Sequence, residues 1–164
     1  MGILTDDMQH LIREQRLAYV ASVCPDGTPN LAPKATTTVW DDDHLIYADI
    51  RSPNTRENIR HQPVVEVNVV DPVARKGYRF KGQTTVVTEG PRFEEGVAFF
   101  RRRGQPYAIQ AIVFIKVERA LPLTSPAYDL GRTEADVCAE FFAYYDALNR
   151  PKAGTAAMSA TDHQ

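Results

Sequence analysis

The residues with most chemistry to offer lie in one stretch, Tyr47-Ala48-Asp49-Ile50-Arg51-Ser52-Pro53-Asn54-Thr55-Arg56-Glu57-Asn58. It reads as a strand end, a cation, a hydroxyl and the immediate start of a helix. The first turn of a helix carries unpaired N–H groups and partial positive charge, which together suit a phosphate. Ser52 and Thr55 could add hydroxyl donors, and Arg51 a paired charge. The same residues would also make a plain capped helix beside a surface arginine. Local sequence leaves both open.

Lys34 is the second candidate, set beside Pro33 and before Ala35-Thr36-Thr37-Thr38 in an otherwise uncharged strand. A lysine there needs a partner or an exposed face. It could share the same phosphate if the first hairpin packs against the helix start, or guard a sheet edge against aggregation. The threonines serve β-propensity, or act as small polar residues that let a flat ring lie against the backbone. Arg101, Arg102 and Arg103 form a solvated helix end or an anion clamp. His10, His44, His61 and His163 have no metal-type spacing, so no metal site is expected. Ser125 lacks a G-x-S-x-G context, and neither a Walker sequence nor G-x-G-x-x-G occurs. A hydrolase triad and a classical nucleotide fold therefore gain no support.

The elements that must hold these residues follow from periodicity. Thr5 caps a short helix to about Gln15, with Met8, Leu11 and Ile12 at helical spacing. Strands are expected at Leu17 to Val23, Ala32 to Trp40 and Leu45 to Asp49, separated by Pro25-Asp26-Gly27 and Asp41-Asp42-Asp43. Ser52 caps a helix with Pro53 at its first position, ending near His61 before Pro63. Strands follow at Val64 to Val70, Tyr78 to Thr88 and Ala108 to Val117, with a helix from Pro91 to Gly104 and a closing helix from Glu134 to Asn149. The expected class is mainly β: a six-stranded antiparallel barrel, closed or nearly so, with short flanking helices.

With 164 residues, one domain over 1–150 is expected, followed by an Ala-, Thr-, Ser- and Gly-rich tail over 151–164 read as disordered. A net charge of -2 offers no general attraction to nucleic acid or anionic membranes. The longest apolar runs, such as Ala111 to Ile115, are too short to span a bilayer. The start Met-Gly-Ile-Leu-Thr-Asp-Asp has no basic or apolar leader, and Cys24 and Cys138 lie far apart. A cytoplasmic protein with reduced thiols is the expectation.

From about Leu17 to Gly90 the chain resembles the pyridoxamine 5'-phosphate oxidase-like flavin-binding split barrels. The resemblance rests on Leu-Ala-Pro-Lys at 31–34, the stretch from Tyr47 to Arg60, Val-Glu-Val-Asn-Val-Val-Asp-Pro at 65–72, and Gly-Tyr-Arg-Phe-Lys-Gly at 77–82, with Pro-Ala-Tyr-Asp at 126–129 matching one branch. It implies an FMN held at the interface of a homodimer. Lys34, Ala35, Thr36 and Thr37 would lie along the isoalloxazine, Tyr47 and Ala48 near the ring or ribityl chain, and Arg51, Ser52 and Thr55 around the phosphate, with Asn58 one turn on. Gln83, Arg101 and Tyr107 would reach the partner's site. No His-Asp-Arg signature for a vitamin B6 substrate occurs, and Pro53, Asn54 and Thr55 stand where the family's phosphate lysine is usual. The implied activity is that of a flavin oxidoreductase of unknown substrate. No catalytic side chain is assigned, because hydride chemistry belongs to the flavin. A non-catalytic flavin-binding or redox-sensing protein is the alternative, as is a deazaflavin F420-dependent reductase. The superfamily also holds haem-degrading members.

Overall fold

The computed structural model describes residues 2–150; the reading of 151–164 as a disordered tail falls outside them. Two compact units are formed, one by residues 2–71 with 76–124, the other by 72–75 with 125–150.

The larger unit contains α1 (Asp6–Gln15), β1 (Ala18–Val23), β2 (Pro29–Lys34), β3 (Thr38–Val39), β4 (His44–Asp49), α2 (Pro53–His61), β5 (Val64–Asp71), β6 (Lys76–Val87), α3 (Pro91–Arg102) and β7 (Ala111–Thr124). All seven strands join one antiparallel sheet in the order β2-β1-β5-β6-β7-β4-β3. Its two edge strands, β2 and β3, are consecutive in the chain. Only residues 35–37 separate them, a link that spans at most about 14 Å. The sheet must therefore curl until its edges converge, which makes the nearly closed barrel that the periodicity implies.

The strand count is seven rather than six because the expected strand from Ala32 to Trp40 is broken. It begins earlier, at Pro29, and stops at Lys34. The Thr36 hydroxyl then donates to the Ala48 carbonyl at 2.9 Å and accepts from the Ala48 amide at 3.1 Å. A side chain thus takes the place of a ladder bond, and the chain turns. β7 also differs: it starts at Ala111 and runs to Thr124, accepting Pro122 opposite Tyr78.

β4 is buried on both faces. Leu45 and Tyr47 join Val20, Val67, Phe80, Val113 and Ile115 in one apolar cluster, while Ile46 and Ala48 join Phe99, Phe100, Ile112 and Phe114 in a second. The second cluster forms because α3 lies on the outside of β4 and β7. Gly96 permits that approach, since a Cβ there would come within 2.8 Å of Ile112 side-chain carbons.

In the smaller unit, α4 spans Pro126–Asp129 and α5 spans Glu134–Asn149. Thr133 and Asp136 form a reciprocal capping box at the start of α5. The Tyr128 hydroxyl donates to the Ala74 carbonyl at 2.5 Å, and the Arg75 guanidinium lies 4.6 Å from the Phe141 ring centre.

Candidate functional site

β2 alternates in exposure, with Leu31 and Pro33 outward and Asn30, Ala32 and Lys34 inward. Lys34 consequently carries its charge to the inner side at the end of an edge strand, where it is only 5% exposed. Its ammonium donates to the Ser52 hydroxyl at 2.6 Å and stands 5.8 Å from the Tyr47 ring centre. Burial pushes the Lys34 ammonium below its ordinary lysine value, partly offset by the negative charge of Asp49. The hairpin does pack against the helix start.

Ser52 takes the position before α2, but its side chain makes no capping hydrogen bond. Pro53 has no amide to donate, and Arg56 N–H donates to the Ser52 carbonyl at 3.0 Å. The amides of Asn54 and Thr55 belong to the first turn, where no intrahelical acceptor exists. Lys34, Arg51, Ser52, Asn54 and Thr55 line one basin of about 310 Å³, with Asn30, Ala32, Pro33 and Pro53 completing it. Arg51 is exposed, while Thr55 is buried with its hydroxyl 3.4 Å from the Asn30 amide.

Beneath the basin Asp49 is 2% exposed, and neither carboxylate oxygen accepts a hydrogen bond among the described residues. Arg56 Nη1 stands 3.5 Å from it. One carboxylate beneath Lys34 and Arg56, with Arg51 beyond, leaves the surroundings of the basin net positive. An anion with several acceptor oxygens fits that donor set.

A second, larger cleft of about 630 Å³ adjoins it. Ala35, Thr36, Thr37 and Thr38 form one wall, Ile12, Arg13 and Arg16 of the α1 end another, and Phe100 with residues 103–107 the third. Lys34 borders the basin and Ala35 the cleft, so consecutive residues join the two spaces. Thr37 is 4% exposed and its hydroxyl has no partner among the described residues. Such an orphaned hydroxyl is costly unless a ligand or water satisfies it.

The structure thus brings Lys34, Arg51, Ser52 and Thr55 together, and sets Ala35, Thr36 and Thr37 beside them. Tyr47 and Ala48 line neither space, each being under 5% exposed within the two apolar clusters. Burial and Asp49 push the Tyr47 phenol far above its ordinary value, so it stays neutral. Asn58 lies outside both spaces as well; its amide donates to Ser22 Oγ at 3.1 Å and reaches Cys24 Sγ at 3.5 Å. Tyr107 borders the cleft, Arg101 bonds the Gln105 carbonyl at 2.6 Å, and Gln83 is exposed on β6. Sequence reasoning missed Asn30, Arg13 and Arg16. Only the inward phase of Asn30 relative to Lys34 could have signalled one of them.

The sequence model of the family described as "Pyridoxamine 5'-phosphate oxidase" matches residues 4–122. No curated protein matches. Among solved structures, HupZ of Group A Streptococcus is 36% identical, with a TM-score of 0.69 over 75% of this chain and 96% of that one. An FMN-binding protein of Syntrophomonas wolfei is 17% identical at TM-score 0.64, covering 74% of this chain and 87% of its own. HutZ of Vibrio cholerae, described as a heme storage protein, is 16% identical at TM-score 0.59, covering 74% and 94% respectively.

Proposed function

The chain belongs to the pyridoxamine 5'-phosphate oxidase family, and from that premise we propose that it is an FMN-binding oxidoreductase. The observation that carries the reading is the Lys34–Ser52 pair at the mouth of a helix, beside a cleft walled by main chain and small hydroxyls. Lys34, Arg51, Ser52 and the first amides of α2 would hold the phosphate. Ala35, Thr36 and Thr37 would face the ring, and the orphaned Thr37 hydroxyl would find an acceptor there. When bound, FMN supplies hydride transfer. The protein binds it, orients it and holds donors near the ring, where they favour negative charge.

Homodimer formation is part of the same reading. Leu17, Tyr19 and Leu31 are exposed apolar side chains on or beside the β1–β2 hairpin, a surface suited to a second copy. A cytoplasmic location goes with it, which two free thiols suit. No helix among the described residues is long and apolar enough to cross a membrane.

The deciding experiment is a visible spectrum of freshly purified protein, with mass analysis of any molecule released on denaturation and an FMN titration of the stripped protein. FMN at one per chain supports the reading; F420, haem or no affinity for FMN overturns it. Turnover of NAD(P)H with an electron acceptor by the loaded protein separates an enzyme from a flavin-binding sensor. Sedimentation of the loaded protein as a monomer at micromolar concentration would exclude the dimer.

A further inference from the structure

Asp49 breaks the ordinary rules of burial. It is 2% exposed, neither carboxylate oxygen has a hydrogen-bond partner among the described residues, and its ion-pair partner Arg56 Nη1 stands 3.5 Å away. A buried ion pair offsets its desolvation only when hydrogen bonds also satisfy the carboxylate, and here they do not. Asp49 lines neither the basin nor the cleft, so it acts on a ligand only through its neighbours. Chief among these is Lys34, which is 5% exposed and donates to the neutral Ser52 hydroxyl. A hydroxyl does not balance an ammonium taken out of water. Burial lowers the Lys34 ammonium and the charge of Asp49 partly restores it; burial and then Asp49 raise the Tyr47 phenol, which stays neutral. The charged and titratable groups around Lys34 are thus Asp49 and Tyr47 from β4, Arg56 from α2 and the exposed Arg51 at the rim. Of these, Asp49 is the anion.

We propose that Asp49 is the positioning residue of the basin: its carboxylate keeps the buried Lys34 ammonium charged and Arg56 drawn to the floor while the basin is empty, so that a phosphate ester enters a site already built for it. The inference rests on the phosphate half of the flavin reading. A site charged in advance takes the dianion without first gaining a proton from water, which is preorganisation. Asp49 also opposes the same dianion by like charge. One residue therefore exerts two effects of opposite sign, and pH separates them. Where Lys34 holds its proton unaided, loss of Asp49 removes only repulsion, and binding tightens. Where Lys34 needs Asp49 to stay charged, loss of Asp49 removes the cation as well, and binding weakens.

The test is fluorescence titration of FMN against wild type, Asp49→Asn and Asp49→Glu from neutral to alkaline pH, with riboflavin as the reference for titration of the ring itself. We expect the alkaline fall in FMN affinity to begin about one pH unit lower in Asp49→Asn, the effect of losing a nearby opposite charge. The two curves then cross, the variant binding more tightly toward neutral pH and about tenfold more weakly beyond the crossing. Asp49→Glu, which keeps a carboxylate, should restore the wild-type onset. Asp49→Ala brings no unpaired amide to the floor and carries the same expectation if Asp49→Asn fails to fold. A flavin-free readout is the Lys34 ε-carbon resonance of carbon-13 lysine-labelled protein, assigned by its loss in Lys34→Met; its titration should move down by the same amount in Asp49→Asn. An onset unmoved by loss of the carboxylate, or an affinity changed by one factor at every pH, overturns the proposal, as does a Lys34 resonance that titrates alike in both proteins. If the protein binds no FMN, the flavin reading falls and the resonance still decides the role of Asp49. If FMN binds and the resonance is unmoved, the flavin site stands and the role of Asp49 falls.

Discussion

The Lys34 ammonium donates to the Ser52 hydroxyl at 2.6 Å, tying the end of an edge strand to the first residue of the α2 mouth. A serine in that position ordinarily accepts from its own helix. Here it accepts from a buried cation instead, so the helix amides and the lysine remain directed at the same small volume.

Removing the cation should separate phosphate recognition from ring recognition. Lys34→Met should weaken FMN binding by about 1.5–3 kcal/mol and Ser52→Ala by about 1 kcal/mol, the ranges for charged and neutral hydrogen bonds. Riboflavin, which has no phosphate, should bind both variants as it binds wild type. Fluorescence titration with the two flavins makes the measurement, and equal losses for both would refute the assignment.

The lowered value of Lys34 sets the direction of the pH response. Free protein loses the Lys34 proton at a lower pH than an ordinary lysine, because burial disfavours the charge. A bound phosphate dianion pulls the proton back. FMN affinity should therefore fall as pH rises through that lowered value, and binding in this range should take up protons. For folding the sign is opposite to that of a paired lysine: between the lowered value and the unfolded one the unfolded chain binds more protons, so stability from this group rises with pH. FMN and riboflavin dissociation constants measured between neutral and alkaline pH check the first part; a slope equal for both ligands would contradict it.

Asn58 should prove structural. Asn58→Ala leaves the Ser22 hydroxyl without this buried donor, and should cost about 1–3 kcal/mol of stability. Denaturant melts should show the loss. FMN affinity of the folded fraction should change less than twofold, since the amide faces β1 rather than the basin.

Gly96→Ala should push α3 away from β7, because the new methyl would meet Ile112 at 2.8 Å. Overpacking of this kind costs about 1–3 kcal/mol. The displacement reaches Phe100 and Arg103, which line the larger cleft. A thermal midpoint equal to wild type would show that the helix–sheet contact is not the constraint described.

The bounds of α2 at Pro53–His61 were legible because their signals are local: Pro53 stands in its first turn and Pro63 follows just past its end. The broken strand was not. Ala32 to Trp40 has uniform β-propensity, and the Thr36 hydroxyl that breaks it bonds a backbone twelve residues further on. The link from Lys34 to the helix start was readable as chemistry, since a buried cation demands a partner. The placement of Tyr47 and Ala48 was less so, because the strand that carries them is covered on both faces. Arg13, Arg16 and Arg103 share a cleft only after α1 and α3 are brought to the same end of the sheet, a long-range outcome that spacing does not encode.

Three residues, 35–37, join the first and last strands of the sheet, and no ladder closes that gap. The barrel is therefore a hoop fastened by its own thread at one point. A molecule wedged there would brace the opening, adding about 2.7 kcal/mol to resistance against unfolding at a hundredfold excess over its dissociation constant. Occupancy and mechanical integrity are then one variable, and a cell short of the ligand would hold a looser protein as well as an idle one.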